Sequence, residues 1–150
     1  MLPSNAERVP QHTSEPINAE IERCSLEALE RAAAAGRSGI EERLEVIDRE
    51  WDIERAIEAN ASTLALIGTL LGAFVNVWFL VIPAAVTAFL LQHAVQGWCP
   101  PVPVLRRFRF RTQTEIEQER TALKLLRGDF DAVRGAGPGA ARSAFYAAKR

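Results

Sequence analysis

The stretch that decides the fold is Ala59–Leu105, ANASTLALIGTLLGAFVNVWFLVIPAAVTAFLLQHAVQGWCPPVPVL. It contains no Asp, Glu, Lys or Arg, and its only ionisable side chains are His93 and Cys99. The whole chain is 25% charged, so a gap this long reports on the solvent around it. A bilayer's hydrocarbon core is about 30 Å thick and takes about 20 apolar helical residues to cross. The gap therefore has room for two crossings joined by a very short connection. The spans are expected at about residues 59–75 and 79–96, with Asn76, Val77 and Trp78 as the turn. Asn suits turns, and Trp favours the membrane–water interface. Pro83 falls in the first turn of the second span, where a missing N–H does little harm. Gly97-Trp98-Cys99-Pro100-Pro101 closes that span, because a residue before proline avoids the helical region.

Two crossings explain the flanking charge better than one. Lys and Arg near span ends favour the cytoplasmic side. Arg43, Arg49 and Arg55 precede the gap, Arg106, Arg107, Arg109, Arg111 and Arg120 follow it, and the turn has no basic residue. Both termini inside and a tight outer turn satisfy the rule. The first 20 residues show no apolar run with a small-residue cleavage site, so the hairpin is expected to serve as its own targeting signal.

Outward from the hairpin, charge separates along the chain. Residues 1–58 carry 14 acidic and 7 basic side chains, net −7, whereas residues 106–150 carry 11 basic and 5 acidic ones, net +6. Residues 1–14 are polar and aperiodic at their start and are expected to be disordered. Ser14 and Pro16 signal a helix start, and Ile17, Ile21, Cys24 and Ala28 then form one stripe, with Gly36 as the stop. Ser38 with Glu41 reads as a capping box opening a second helix, whose stripe is Ile40, Leu44, Ile47 and Trp51. Residues 15–58 are thus an acidic helical arm of two helices broken near Gly36.

After the hairpin of residues 59–105, Arg107 to Arg111 alternates basic and apolar side chains. Next to a span, such a stretch suits anionic head groups at about 1 kcal/mol per basic residue, which makes lipid a better partner than nucleic acid. Arg106, Arg107, Arg109 and Arg111 are the candidate head-group contacts. Overlapping capping boxes at Thr112–Glu115 and Thr114–Glu117 open a helix to about Arg127, so residues 106–130 form a basic segment and helix. Residues 131–150, rich in Gly and Ala, read as a flexible basic tail in which Ala144, Phe145 and Tyr146 are placed to touch the membrane surface. The acidic arm (38–60) and the basic helix (112–127) are expected to pair.

Within the spans, Gly68 and Gly72, and Ala84 and Ala88, are small residues four apart, a spacing that lets membrane helices approach closely. They are the candidate packing residues, for the hairpin itself or for a homo-oligomer. Thr69 and Thr87 are expected to hydrogen-bond between helices, and His93 with no carboxylate in the spans reads as structural rather than as a metal or proton site. Cys24 and Cys99 form no disulfide or zinc framework. There is no phosphate loop, no His-Glu-x-x-His, no Cys-x-x-Cys and no nucleophile triad, so neither a cofactor, a metal nor catalysis by this chain is expected.

From about Arg55 to Thr112 the chain resembles the YgaP-like transmembrane domain family, two-helix bacterial inner-membrane domains found alone or fused to a rhodanese module. The resemblance is carried by Glu54-Arg55-Ala56-Ile57, by Gly68 and Gly72, and above all by Gly97-Trp98-Cys99-Pro100 after the second span, followed by Val102, Val104, Leu105 and Thr112. Arg106-Arg107 departs from the family's outline, and no rhodanese module is present. The resemblance implies a bacterial inner-membrane location and a motif of Gly97, Cys99 and Pro100. It also makes Cys99 the candidate reactive thiol, with Arg106 and Arg107 nearby to lower its pKa for persulfide or redox exchange.

These readings converge on an all-α membrane protein, a two-span transmembrane hairpin with amphipathic cytoplasmic helices before and after it. The expected role is a non-catalytic anchor or scaffold that self-associates in the inner membrane, with membrane lipids and a cytoplasmic protein as partners. Sulfur transfer through Cys99 and sensing of anionic lipid are the alternatives.

Overall fold

The computed structural model describes residues 8–133, 135 and 137–149, and the described residues contain helices and connections but no strand. Residues 1–7, 134, 136 and 150, on which part of the disordered N-terminus and of the flexible tail were expected, lie outside the described residues. The helices are α1 (Glu15–Ala34), α2 (Gly36–Arg49), α3 (Ile53–Phe74), α4 (Val81–Gln96), α5 (Val102–Arg107), α6 (Gln113–Arg127) and α7 (Pro138–Lys149). They divide between two compact units, one of Met1–Ile21 with Trp51–Gln113 and one of Glu22–Glu50 with Thr114–Arg150.

The first unit is built on the hairpin of α3 and α4. Asp52 caps α3, its carboxylate accepting from the Arg55 N–H at 2.6 Å. After Phe74, Asn76 accepts from the Trp78 N–H at 3.0 Å and opens a 3-10 turn, Val77–Leu80, that runs into α4. The helical stretches Gly36–Phe74 and Val77–Gln96 are long and apolar enough to cross a membrane, by length and composition. The first of them is interrupted at Glu50–Asp52, so its apolar part belongs to α3. The hairpin closes tightly because of Gly68. A Cβ there would lie 2.7 Å from Pro83 Cδ and 2.8 Å from Ile82 Cβ, and one on Gly72 would lie 2.5 Å from Leu80 Cδ2. Ala84 and Ala88 are exposed on α4, away from this contact.

Gly97 ends α4 in the left-handed region at φ 79°, donating to the His93 carbonyl at 2.7 Å. The chain leaves the helix as the prolines require, but it becomes helical again at once in α5, where Pro103 tolerates its missing N–H in the first turn. The basic–apolar alternation expected from Arg107 onward is therefore not presented as an extended strip. The N-terminal segment likewise differs from expectation. Pro10–His12 is a 3-10 turn, and Val9 is buried with Ile53, Ile57, Cys99 and Val102.

The second unit packs α2 against α6, with the end of α1 beneath. Its core is Ala32, Ile40, Leu44, Ile47, Ile116 and Leu123. Ala35 separates α1 from α2, and Gly36, at φ 73°, opens α2. Helix α2 starts at Gly36 without a side-chain cap, so the Ser38–Glu41 box is not the N-terminus. Trp51 does not continue the α2 stripe. It lies beyond the break, exposed, with the Arg55 guanidinium 4.3 Å from its ring centroid. Gly128 ends α6, and Pro138–Lys149, expected to be loose, forms α7.

Candidate functional site

Two places gather polar side chains. The first is the end of the hairpin at which α3 begins and α4 stops. Here Arg106 is 0% exposed. Its Nε donates to Thr13 Oγ1 at 3.2 Å, Nη1 to the Phe110 carbonyl at 3.1 Å and Nη2 to Asn18 Oδ1 at 2.7 Å. Asn18 in turn donates to the Pro10 carbonyl at 2.9 Å. Arg8 Nη1 donates to the Ala94 carbonyl at 2.6 Å, and His12 Nε2 to the Gln96 carbonyl at 3.1 Å. These carbonyls belong to the last turn of α4, whose final C=O groups have no partner within the helix. The N-terminal segment is thus a strap over the end of the hairpin, locked by one arginine from α5. Sequence reasoning missed this role. A single buried Arg beside prolines leaves no periodic signal, and its two side-chain acceptors, Thr13 and Asn18, lie 93 and 88 residues away in sequence.

Two of the four arginines expected to meet lipid head groups are covered by the protein instead. Arg106 and Arg111 are buried, so neither is offered to lipid. Arg109, in the left-handed region at φ 64°, pairs with Glu20 at 2.8 Å. Arg107 remains exposed. The Arg111 carbonyl accepts from the Ile53 N–H at 2.8 Å, which ties the exit of α5 to the start of α3.

Gly97, Cys99 and Pro100 sit together beside this strap. Gly97 faces Arg8 so closely that a Cβ would meet the Arg8 carbonyl carbon and oxygen at 2.5 Å. Cys99 is 2% exposed, within the apolar cluster of Val9, Ile57 and Val102. Burial pushes its thiol above the ordinary value of 9.0, against a weaker lowering by a backbone hydrogen bond involving Val102. A lowered pKa beside Arg106 and Arg107 is therefore not what the site provides, since the Arg106 guanidinium is committed to Thr13, Asn18 and Phe110. Cys99 also lines an apolar groove of about 250 Å³ with Ile57, Leu64, Phe89, Leu90 and Pro100.

Inside the hairpin the threonines satisfy themselves. Thr69 Oγ1 donates to the Ala65 carbonyl at 2.7 Å and Thr87 Oγ1 to the Pro83 carbonyl at 2.8 Å, within their own helices rather than between them. His93 is buried, and its Nδ1 has no hydrogen-bond partner among the described residues. No cluster of three His, Cys, Asp or Glu side chains able to hold a metal occurs among the described residues.

The second place is the α2–α6 face. Arg43 makes a two-pronged pair with buried Glu119, at 2.7 and 3.1 Å. Arg120 pairs with Asp48 and, at 3.0 Å, with Glu117. A polar groove of about 450 Å³ has Glu41, Glu45 and Asp48 on one wall and Arg120, Lys124 and Arg127 on the other. Opposite charges thus meet along α2 and α6 within one unit.

Fold and site together define a class: among the described residues, an all-α protein with a contacting hairpin of two long apolar helices. Comparison with known families, curated proteins and solved structures finds no match for it.

Proposed function

We propose that this chain is an integral membrane protein whose α3–α4 hairpin crosses the bilayer twice and anchors a small helical unit, with both termini on the cytoplasmic side. The observation that carries the reading is how little the hairpin is covered. Only 11% of the most apolar window of Gly36–Phe74 and 6% of that of Val77–Gln96 is buried. A helix in the core of a soluble protein would be mostly covered. Here Leu66, Leu70, Phe74, Val81 and Leu91 stand exposed on a surface with no charge, far larger than the patch a soluble monomer tolerates. Further support comes from the tryptophans. Trp78 marks the turn, while Trp51 and Trp98 flank the other end, as interfacial belts do. Exposed Arg55, Arg107 and Arg109 lie at the end of the hairpin opposite the Asn76 turn, which has no basic residue, and this favours the cytoplasmic side for their end.

Within this reading the location is the inner (cytoplasmic) membrane, and the hairpin is of the YgaP-like type. Its support is the Gly97–Pro100 motif, in which Gly97 ends α4 in the left-handed region and Cys99 is buried in the apolar cluster beneath it. The role is that of an anchor and scaffold without catalysis of its own. Self-association now rests on Ala84 and Ala88, because Gly68 and Gly72 serve the hairpin's internal contact. Alkaline carbonate extraction of membranes tests the reading. The chain is expected to stay with the lipid pellet; quantitative release into the supernatant would sink the proposal.

A further inference from the structure

Helix α7 has one covered face and one open face, and they differ in chemistry. Ala147 is buried, and Lys124 Nζ of α6 donates to the Ala148 carbonyl at 2.8 Å, so α7 is docked on its own unit by that side. Phe145 is 68% and Tyr146 59% exposed, and Arg142 is exposed with them. Residues three and four apart share a helix face, so Arg142 stands beside both aromatics. The two rings meet edge to face at 5.6 Å between centroids. From Ala132 to the last residue the chain has four basic residues and no acidic one.

Amphipathic aromatics interleaved with cations, in a stretch of sequence without an acidic residue, match the chemistry of an anionic lipid surface. Tyr and Phe enter the head-group region while Arg and Lys meet phosphates. Two large apolar rings left bare beside a covered alanine face have no packing role in their own unit. We propose that the open face of α7 is a second membrane contact, binding anionic lipid at the surface of the bilayer that the hairpin spans. This rests on the membrane reading of the hairpin, which holds α7 near the bilayer at a high effective concentration. The contact accordingly needs only modest intrinsic affinity.

The test uses the full chain reconstituted in phosphatidylcholine vesicles with and without phosphatidylglycerol, digested briefly with trypsin. Cutting after Arg142 is normalised to cutting after exposed Arg37, which cancels orientation and local protease concentration. Flotation after an alkaline wash is read on the same samples. The expected result is a chain that floats, with the Arg142 cut slowed roughly tenfold by phosphatidylglycerol and restored by Phe145→Ser with Tyr146→Ser. A floating chain with equal cutting in both lipids, or protection that survives the double substitution, overturns the α7 contact alone. A chain that does not float takes the hairpin reading down with it. Protection by added RNA in detergent, without lipid, assigns the face to nucleic acid and also overturns the proposal.

Discussion

The guanidinium of Arg106 donates to Thr13, Asn18 and the Phe110 carbonyl from a position closed to water. Replacing it with Met keeps the bulk but leaves three acceptors without a donor, at about 0.5–1.5 kcal/mol each. Arg106→Met is expected to cost about 2–4 kcal/mol in detergent-solubilised protein, read as a shift of the thermal midpoint. Arg106→Lys should recover little of that, since an ammonium cannot span the fork. A midpoint unchanged in both variants would remove the strap from the account. Cys99 allows a pH prediction. Its thiol titrates above 9.0 in the folded chain because burial disfavours the thiolate. The folded state then binds the proton more tightly than the unfolded one. Its contribution to stability is full below pH 9.0 and is lost as pH rises through the folded value. Cys99→Ala should flatten the alkaline fall in stability, and an unchanged fall would show that the thiol is not its source. Of these two residues, sequence alone marked Cys99 as special through its place after the second span, either as a reactive thiol or as a small apolar residue at the helix end, and its burial agrees with the second. The cluster that buries it was not fully legible, because one of its members, Val9, lies in a segment whose composition reads as disordered.

At the scale of elements, the hairpin was the legible part. A charge-free run with one Asn turn and one Gly stop specifies two helices and their connection through solvent and backbone chemistry alone. The arms were legible as amphipathic stripes, which is why Ile40, Leu44, Ile47, Ile116 and Leu123 meet in one core. What failed were boundaries set by tertiary contact: the α2 start at Gly36, the break that takes Trp51 off the stripe, and the helices α5 and α7 in stretches read from proline and glycine content. The close approach of α3 and α4 at Gly68 makes a sharp prediction. Gly68→Leu should destabilise the hairpin by about 1–3 kcal/mol through overpacking against Pro83. Ala84→Leu, on the exposed side, should leave the monomer's midpoint unchanged while altering any self-association, read by sedimentation in detergent. Equal losses from both would mean that the glycine is not at the contact. In the second unit, Glu119→Ala strands Arg43 in a partly buried site and is expected to cost about 3 kcal/mol. Asp48→Ala, which opens a more exposed pair, should cost under about 1 kcal/mol. Comparable losses would contradict the placement of Glu119 in the core.

At the scale of the whole molecule, the chain joins a mostly uncovered apolar hairpin to a helical unit with an apolar core and a face of opposite charges, and the proposed topology puts each on a stated side of a membrane. Single cysteines at Asn76 and Ala148, in a background with Cys24 and Cys99 replaced by Ala, can be labelled with a membrane-impermeant maleimide in intact cells and again after permeabilisation. Position 76 is expected to react in intact cells, and position 148 only once the membrane is opened. Labelling of both in intact cells, or of position 148 alone, would contradict a hairpin that crosses twice with its termini inside.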